Sequence, residues 1–245
     1  MKQITGLFIL IFFSVFLCNS CETGKCWHGT GQNTLQLFET GYFREVNVRG
    51  MYEIILVQDS VYYIELEGGD KVLDYTTVSN TDSVVYLDNS NECFFLRDYE
   101  KIKCYLHFSD RLVLSLFETC RVTSRLPVTS VFTLIVPAEM AEVDIQLNNP
   151  HFHFYNHRTT AGTYTFRGYS DLSVISGFYS ARFDLSALTS REMHVNNSSI
   201  GDMHVNAAEV LKVQIHNTGN IYYSGSPQII IDSVSGSGNL IREDD

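Results

Sequence analysis

The chain has 245 residues and sets 17 Lys+Arg against 28 Asp+Glu, a formal net charge of −11. With 44% hydrophobic and 18% charged residues it is too apolar to remain disordered, and its acidity argues against nucleic acid or an anionic bilayer as partner. Tyr and Phe are plentiful, at 14 and 16, and prolines number only 4, so the composition leans toward strands.

The chain opens with Met1-Lys2-Gln3 and an uninterrupted apolar run at 7–17 (LFILIFFSVFL). The run is shorter than the ~20 residues that span a hydrocarbon core, so residues 1–20 read as a signal peptide and not as a permanent anchor. Cys18-Asn19-Ser20-Cys21 follows, and a signal ending on Cys after a small residue resembles the lipobox of bacterial lipoproteins. Cys21, with Ser20 before it, is the lipidation site this pattern favours. Cys18, preceded by the bulky Leu17, and plain secretion without lipid are the alternatives. Several acyl chains on Cys21 would anchor the protein stably. Of the other cysteines, Cys26, Cys93, Cys104 and Cys120 would lie in a compartment that permits disulfides, with three possible connectivities. Cys104 is in phase with Ile102, Leu106 and Phe108 and reads as a core thiol. These four contain no Cys-x-x-Cys pair, which argues against a zinc or redox site.

Residues 21–42 are polar, Gly-containing and carry the single tryptophan, Trp27. They read as a tether. From 43 to 241 the chain reads as one domain. Short alternating runs at 43–48, 52–57, 62–66, 84–87 and 102–108 predict strands, separated by Gly50, Gln58-Asp59, Gly68-Gly69-Asp70 and 88–91 (DNSN). The best helical candidate, 70–75, is a turn or two long.

Beyond residue 160 an internal repeat emerges. One series of apolar pairs runs Leu172/Val174, Met193/Val195, Leu211/Val213 and Ile229/Ile231. A second runs Tyr164/Phe166, Phe183/Leu185, Met203/Val205 and Ile221/Tyr223. Successive members lie ~18–21 residues apart, and two strands per repeat with period-2 alternation is a solenoid signature. Val174, Val195, Val213 and Ile231 should then form one internal column with strands ~4.8 Å apart. Corner glycines should take positive φ, and Asn, Ser and Thr should satisfy corner main-chain groups. The stack should continue back, more weakly, through 143–147, 131–136 and 114–116.

The pattern Phe43-x-x-Val46-x-Val48-x-Gly50-x-Tyr52-x-Ile54-x-Leu56, followed by Gln58, together with Gly219-Asn220-Ile221-Tyr222-Tyr223-x-Gly225-x-Pro227 and then Ser235-Gly236-Ser237-Gly238, resembles the putative auto-transporter adhesin, head GIN domain family. The resemblance covers about 40–241. It departs at Asp59, where Gly is usual, and is poor over 89–154. It implies an all-β, single-stranded right-handed parallel β-helix carried by lipoproteins or secreted envelope proteins, with no established enzymatic activity.

Candidate chemistry is sparse. In a strand, His151, His153, Tyr155 and His157 share one face while Phe152 and Phe154 take the other. The histidines are a weak candidate metal cluster, read first as a solvated face or a protonation-sensitive patch. His194 and His204, in the echo Met-His-Val-Asn, should lie on successive sides of a coil and face outward beside Lys212 and Tyr222. A carbohydrate-active β-helix enzyme would need clustered outward carboxylates, whereas Asp171, Asp184, Glu192, Asp202, Glu209 and Asp232 read as scattered. Glu142 and Asp144 have no evident stacked partner. Asp59-Ser60-Val61, Asp82-Ser83-Val84 and Asp232-Ser233-Val234 resemble acceptors of bacterial envelope O-glycosylation.

The expectation is a lipid-anchored, non-enzymatic β-solenoid of the cell envelope, an outer-membrane lipoprotein without cofactor. It would bind a glycan or an envelope protein through laddered polar faces. A carbohydrate-active enzyme and a structural accessory of an envelope assembly are the competing classes.

Overall fold

The computed structural model describes residues 29–91, 101–137, 140–157 and 161–243. The expected signal peptide and lipidation site at residues 1–21, with Cys26, Trp27 and Cys93, lie outside the described residues.

The chain stacks flat coils, each contributing one strand to each of two walls. The front wall begins with β2 (Glu45–Arg49), β6 (Val84–Asn89), β8 (Leu112–Leu116) and β10 (Phe132–Val136). It continues through the second halves of β11 (Ala141–Asn156), β12 (Gly162–Tyr179), β13 (Arg182–Ser199) and β14 (Met203–Ile215), and ends on β16 (Gln228–Val234). The back wall is built from β3 (Tyr52–Gln58), β7 (Ile102–Phe108), β9 (Cys120–Ser124), the first halves of β11 to β14, β15 (Ile221–Ser224) and β17 (Leu240–Arg242). All of these pairings are parallel, as the repeat requires.

Coil order in space differs from coil order in sequence. The β2–β3 coil is sandwiched between β6–β7 on one side and β8–β9 on the other. Antiparallel strands finish the N-terminal end. There β4 (Tyr63–Gly69) pairs with β7, β5 (Thr76–Thr81) pairs with β6, and the short α1 (Asp70–Leu73) falls inside the predicted helical turn. Part of the expected tether is also structured: β1 (Asn33–Phe38) pairs antiparallel with β4.

Inward side chains from both walls meet in one core. Its middle is aromatic, with Phe132 over Phe152 at 6.0 Å and Phe154 against Tyr164 and Phe183 at 4.6 and 5.4 Å. Such contacts add ~0.5–1.5 kcal/mol each beyond area burial. Cys104 is buried here, as its phase predicts, and so is Cys120. Burial drives both thiols up, Cys120 to about 12, so neither is a nucleophile.

The internal column needs one correction. Ile175, not Val174, pairs with Val195, and the column continues through Val213 to Ile231. The corner at 167–172 shifts the alternation by one, so Leu172 and Val174 face outward. Ser173 takes the inward place and meets the Ser190 hydroxyl at 2.7 Å. Two apolar residues on the outer face mimicked an inward pair. Register shifts near corners, between Thr165 and Gly168 and between Leu185 and Thr189, also explain why the repeat length varies.

A second correction concerns the corner glycines. Gly177, Gly219, Gly236 and Gly238 are absent from the positive-φ residues, which do include Gly168 and Gly225. They are needed for close approach: a Cβ on Gly219 would lie 2.1 Å from the Gly201 carbonyl oxygen, and one on Gly238 2.1 Å from that of Gly219. Corner asparagines meet the expectation. Asn197 accepts from the Ser199 N–H and donates to the carbonyls of Gly201 and Asn220.

Two substitutions test this packing. Ile175→Ala should cost ~2–5 kcal/mol of unfolding free energy and Val174→Ala under ~1; equal costs would refute the register. Gly219→Ala should cost ~1–3 kcal/mol, while Gly29→Ala, where nothing lies within 4 Å, should be close to neutral by urea titration.

Candidate functional site

Because alternation sends every second side chain outward, each wall displays rows of residues at coil spacing. On the front wall one row runs Thr133, His153, Val174, His194, Lys212, Ile230. The next runs Ile135, Tyr155, Ser176, Asn196, Gln214, Ser233. His194 is above Lys212, as expected. Between the rows is a shallow cavity of about 200 Å³ lined by Val174, Ser176, His194, Asn196, Lys212, Gln214 and Asp232. Glu192 is its electrostatic hub, with His194 Nε2 at 2.6 Å and Lys212 Nζ at 3.0 Å. The His194 contact and then the Lys212 contact lower the Glu192 pKa. The cavity thus combines two donor groups, two amides, a hydroxyl and the Asp232 carboxylate with an aliphatic patch, all fixed on strands.

The histidine cluster is spread along this wall. His151 is exposed and His153 half-buried, and His157 lies past the end of β11, stacked on Phe178 at 5.5 Å. Phe152 and Phe154 are buried opposite them, as alternation predicts. Among the described residues no three His, Cys, Asp or Glu side chains converge as a metal site.

The back wall carries a row of alternating charge: Glu67, Lys103, Glu53, Arg121, Glu142. Glu142 and Asp144, expected to lack partners, have them one coil away. Arg121 Nε is 3.7 Å from Glu142, and the Arg167 guanidinium donates to both oxygens of Asp144. Arg191 links Asp171 and Glu209 at 3.7 and 3.5 Å, and Asp202 accepts from the Asn220 N–H. Asp184 is held by Ser186, which lowers its pKa, and pairs in register with His204, itself stacked on Tyr222 at 4.9 Å. Asp184 apart, which Ser186 holds from its own strand, these carboxylates are scattered in sequence because each answers a neighbouring coil.

A family model described as putative auto-transporter adhesin, head GIN domain, matches residues 42–227. The chain belongs to this family. Among solved structures, this head GIN domain is similar to a putative adhesin from Bacteroides fragilis, at 18% identity and a TM-score of 0.75, covering 86% of this chain and 97% of that one. It is similar to a putative adhesin from Parabacteroides merdae, at 14% identity and a TM-score of 0.56, covering 88% and 98%. A structure described as a putative lipid binding protein from Parabacteroides distasonis is similar at 15% identity and a TM-score of 0.54, again covering 88% and 98%. At these identities the likeness establishes the fold. No curated protein matches the sequence.

One polar cluster of the head GIN domain, around the buried His107, escaped sequence reasoning. His107 is stacked on Tyr63 at 3.9 Å, with Asp59 Oδ2 2.7 Å from its Nδ1 and Glu65 Oε2 3.6 Å from its Nε2. The parallel pairing of β3 with β7 brings Asp59 to His107, and the antiparallel pairing of β4 with β7, which parallel repeats do not predict, adds Tyr63 and Glu65. Of the three Asp-Ser-Val tripeptides, Ser60 is exposed in the loop after β3, Ser83 sits at φ 66 in the β5–β6 turn, and Ser233 is half-buried on β16.

Burial, then His151 and Arg111, lowers the His153 pKa. The unfolded chain therefore takes up that proton first. The stabilisation is whole above the unfolded value of ~6.5 and lost as pH falls through the lower folded value. The unfolding midpoint in urea should fall between pH 7.5 and 5.5, and His153→Gln should reduce that fall. An unchanged pH profile in the variant would contradict this.

Proposed function

We propose that the protein is a non-enzymatic adhesion module of the cell envelope, held to a membrane by lipid on Cys21, and that its front wall binds a polar, repetitive ligand, a glycan. The family description and the adhesin-like neighbours support adhesion and an address at the envelope or surface. The observation that carries the binding reading is the front-wall cavity around Lys212, Asn196 and Gln214, within rows that repeat one coil apart. Amides and hydroxyls on rigid strands supply hydrogen bonds at little ordering cost, and the aliphatic Val174 offers a surface for a sugar's apolar face. Glu142, Asp144, Asp171, Glu192 and Glu209 are engaged by cations and Asp184 and Asp202 by hydroxyl or main-chain donors, which leaves Asp232 as the carboxylate in the cavity lining and favours binding over hydrolysis by a carboxylate pair. Lipid attachment is supported by the Cys18-Asn19-Ser20-Cys21 pattern. Among the described residues no helix is long and apolar enough to cross a membrane.

A glycan array probed with the chain should give a signal that drops at least ~10-fold in Asn196→Ala/Lys212→Ala, consistent with loss of ~1.4 kcal/mol or more, with the far-ultraviolet spectrum unchanged. Binding that survives this variant, or turnover of any glycan, would overturn the reading. Metabolic labelling with palmitate should be lost in Cys21→Ser and retained in Cys18→Ser.

A further inference from the structure

We infer that the N-terminal end of the solenoid lies against a zwitterionic lipid surface, through an apolar patch formed by Leu35, Leu37, Tyr42, Val61 and Tyr62. The inference rests on the reading that Cys21 is lipidated.

The patch breaks the rule that governs the rest of the back wall. The row through Leu37 continues as Glu65, Tyr105, Ile55, Thr123, Asp144 and Thr165, so it becomes polar away from this end. At the end itself, Leu35 and Leu37 on the outer face of β1 are 56% and 57% exposed, and Tyr42 is 56% exposed. Leu37, Tyr42, Val61 and Tyr62 border one shallow concavity of about 420 Å³, and Leu35 lies two residues before Leu37 on the same face of β1, at the edge towards Glu65, Glu67 and Arg125. Tyr62 packs edge-on against Tyr42 at 5.2 Å and Phe43 at 5.3 Å, which fixes the rings before any contact is made. Tyrosines whose rings sit in apolar surroundings while their hydroxyls reach water suit the boundary between lipid and solvent.

Connectivity selects the occupant. Residues 21–33 join the proposed lipid site to β1, a reach of at most ~40 Å. The far end of the stack lies on the order of 45 Å beyond β1 at ~4.8 Å per strand. A lipid on Cys21 thus holds the patch, and not the distal coils, close to the membrane, at an effective concentration where weak contacts are populated. Charge selects the kind of surface. Glu39 borders the concavity, Asp59 accepts from the Val61 N–H and Glu65 pairs in register with Leu37, so anionic headgroups would be repelled and zwitterionic ones accepted. Lipid supplies attachment, while the patch would set the tilt of the solenoid and present the front wall sideways.

The test is hydrogen exchange on the lipidated full chain bound to vesicles of phosphatidylethanolamine and phosphatidylcholine, with Cys21→Ser in solution as reference. Amides in 33–43 and 60–63 should exchange at least ~5-fold more slowly on vesicles, while those in 228–242 are unchanged. Leu37→Asp/Val61→Asp, both exposed positions, should stay on the vesicles through its lipid and lose the protection. Adding about a third phosphatidylglycerol should weaken it. Retention without protection, or protection that survives the double variant, overturns the inference and leaves the anchor intact. Protection in intact envelopes but not on vesicles assigns the patch to a protein and also overturns it. A chain that fails to sediment with vesicles removes the anchor, and the inference with it.

Discussion

Parallel, in-register stacking of coils is the constraint on which the rest of the molecule depends. A single flat coil has two short strands and a few inward aliphatic side chains, and it cannot bury them alone. Laid on a neighbour at strand spacing, its main-chain groups find partners and its side chains fall directly over those of the next coil. Every other feature follows from that repetition. Asn197 ties three main-chain groups at a corner, Gly219 lets one corner carbonyl approach the next, and Phe132, Phe152 and Phe154 share the middle of the core.

The same repetition separates fold from function. Inward positions are dictated by the stack, while outward positions need only tolerate the coils on either side. The back wall uses that freedom for alternating charges that neutralise one another across coils. The front wall instead gathers histidine, lysine, amide and hydroxyl groups around Glu192. The two ends also differ. Antiparallel β1, β4 and β5 finish the N-terminal end, whereas Ile231 and Val234 on the last front-wall strand remain largely exposed. An acidic solenoid can in this way carry a face rich in polar donors and acceptors, a self-compensating face and an apolar end.

Much of this was legible in the chain because period-2 alternation and a repeat near twenty residues are strong, mutually reinforcing signals. The strands around 52–57 and 102–108, the burial of Cys104 and the placement of His194 beside Lys212 could all be read from spacing. The misreadings share one cause, that a corner is invisible to a periodic pattern. Leu172 and Val174 continued the apolar pairing past a corner where the phase had slipped, and the inward place between them belongs to Ser173, whose hydroxyl meets that of Ser190. Glycines at corners were credited with backbone freedom when the space above a carbonyl was what mattered. Pairings unrelated to the repeat, such as that of β4 with β7 which sets Tyr63 and Glu65 against His107, leave no periodic trace. Nor does the placement of the first coil in the middle of its neighbours.

The stack itself is open to a direct measurement. Spin labels placed pairwise on one outward front-wall row, at Thr133 with His194, Lys212 or Ile230 and with accessible cysteines replaced, report separation along the solenoid by pulsed electron resonance. Stacked coils predict separations rising through ~14, ~19 and ~24 Å, one strand spacing per coil. Distances that fail to rise in even steps, or that shorten as the sequence separation grows, would contradict the account.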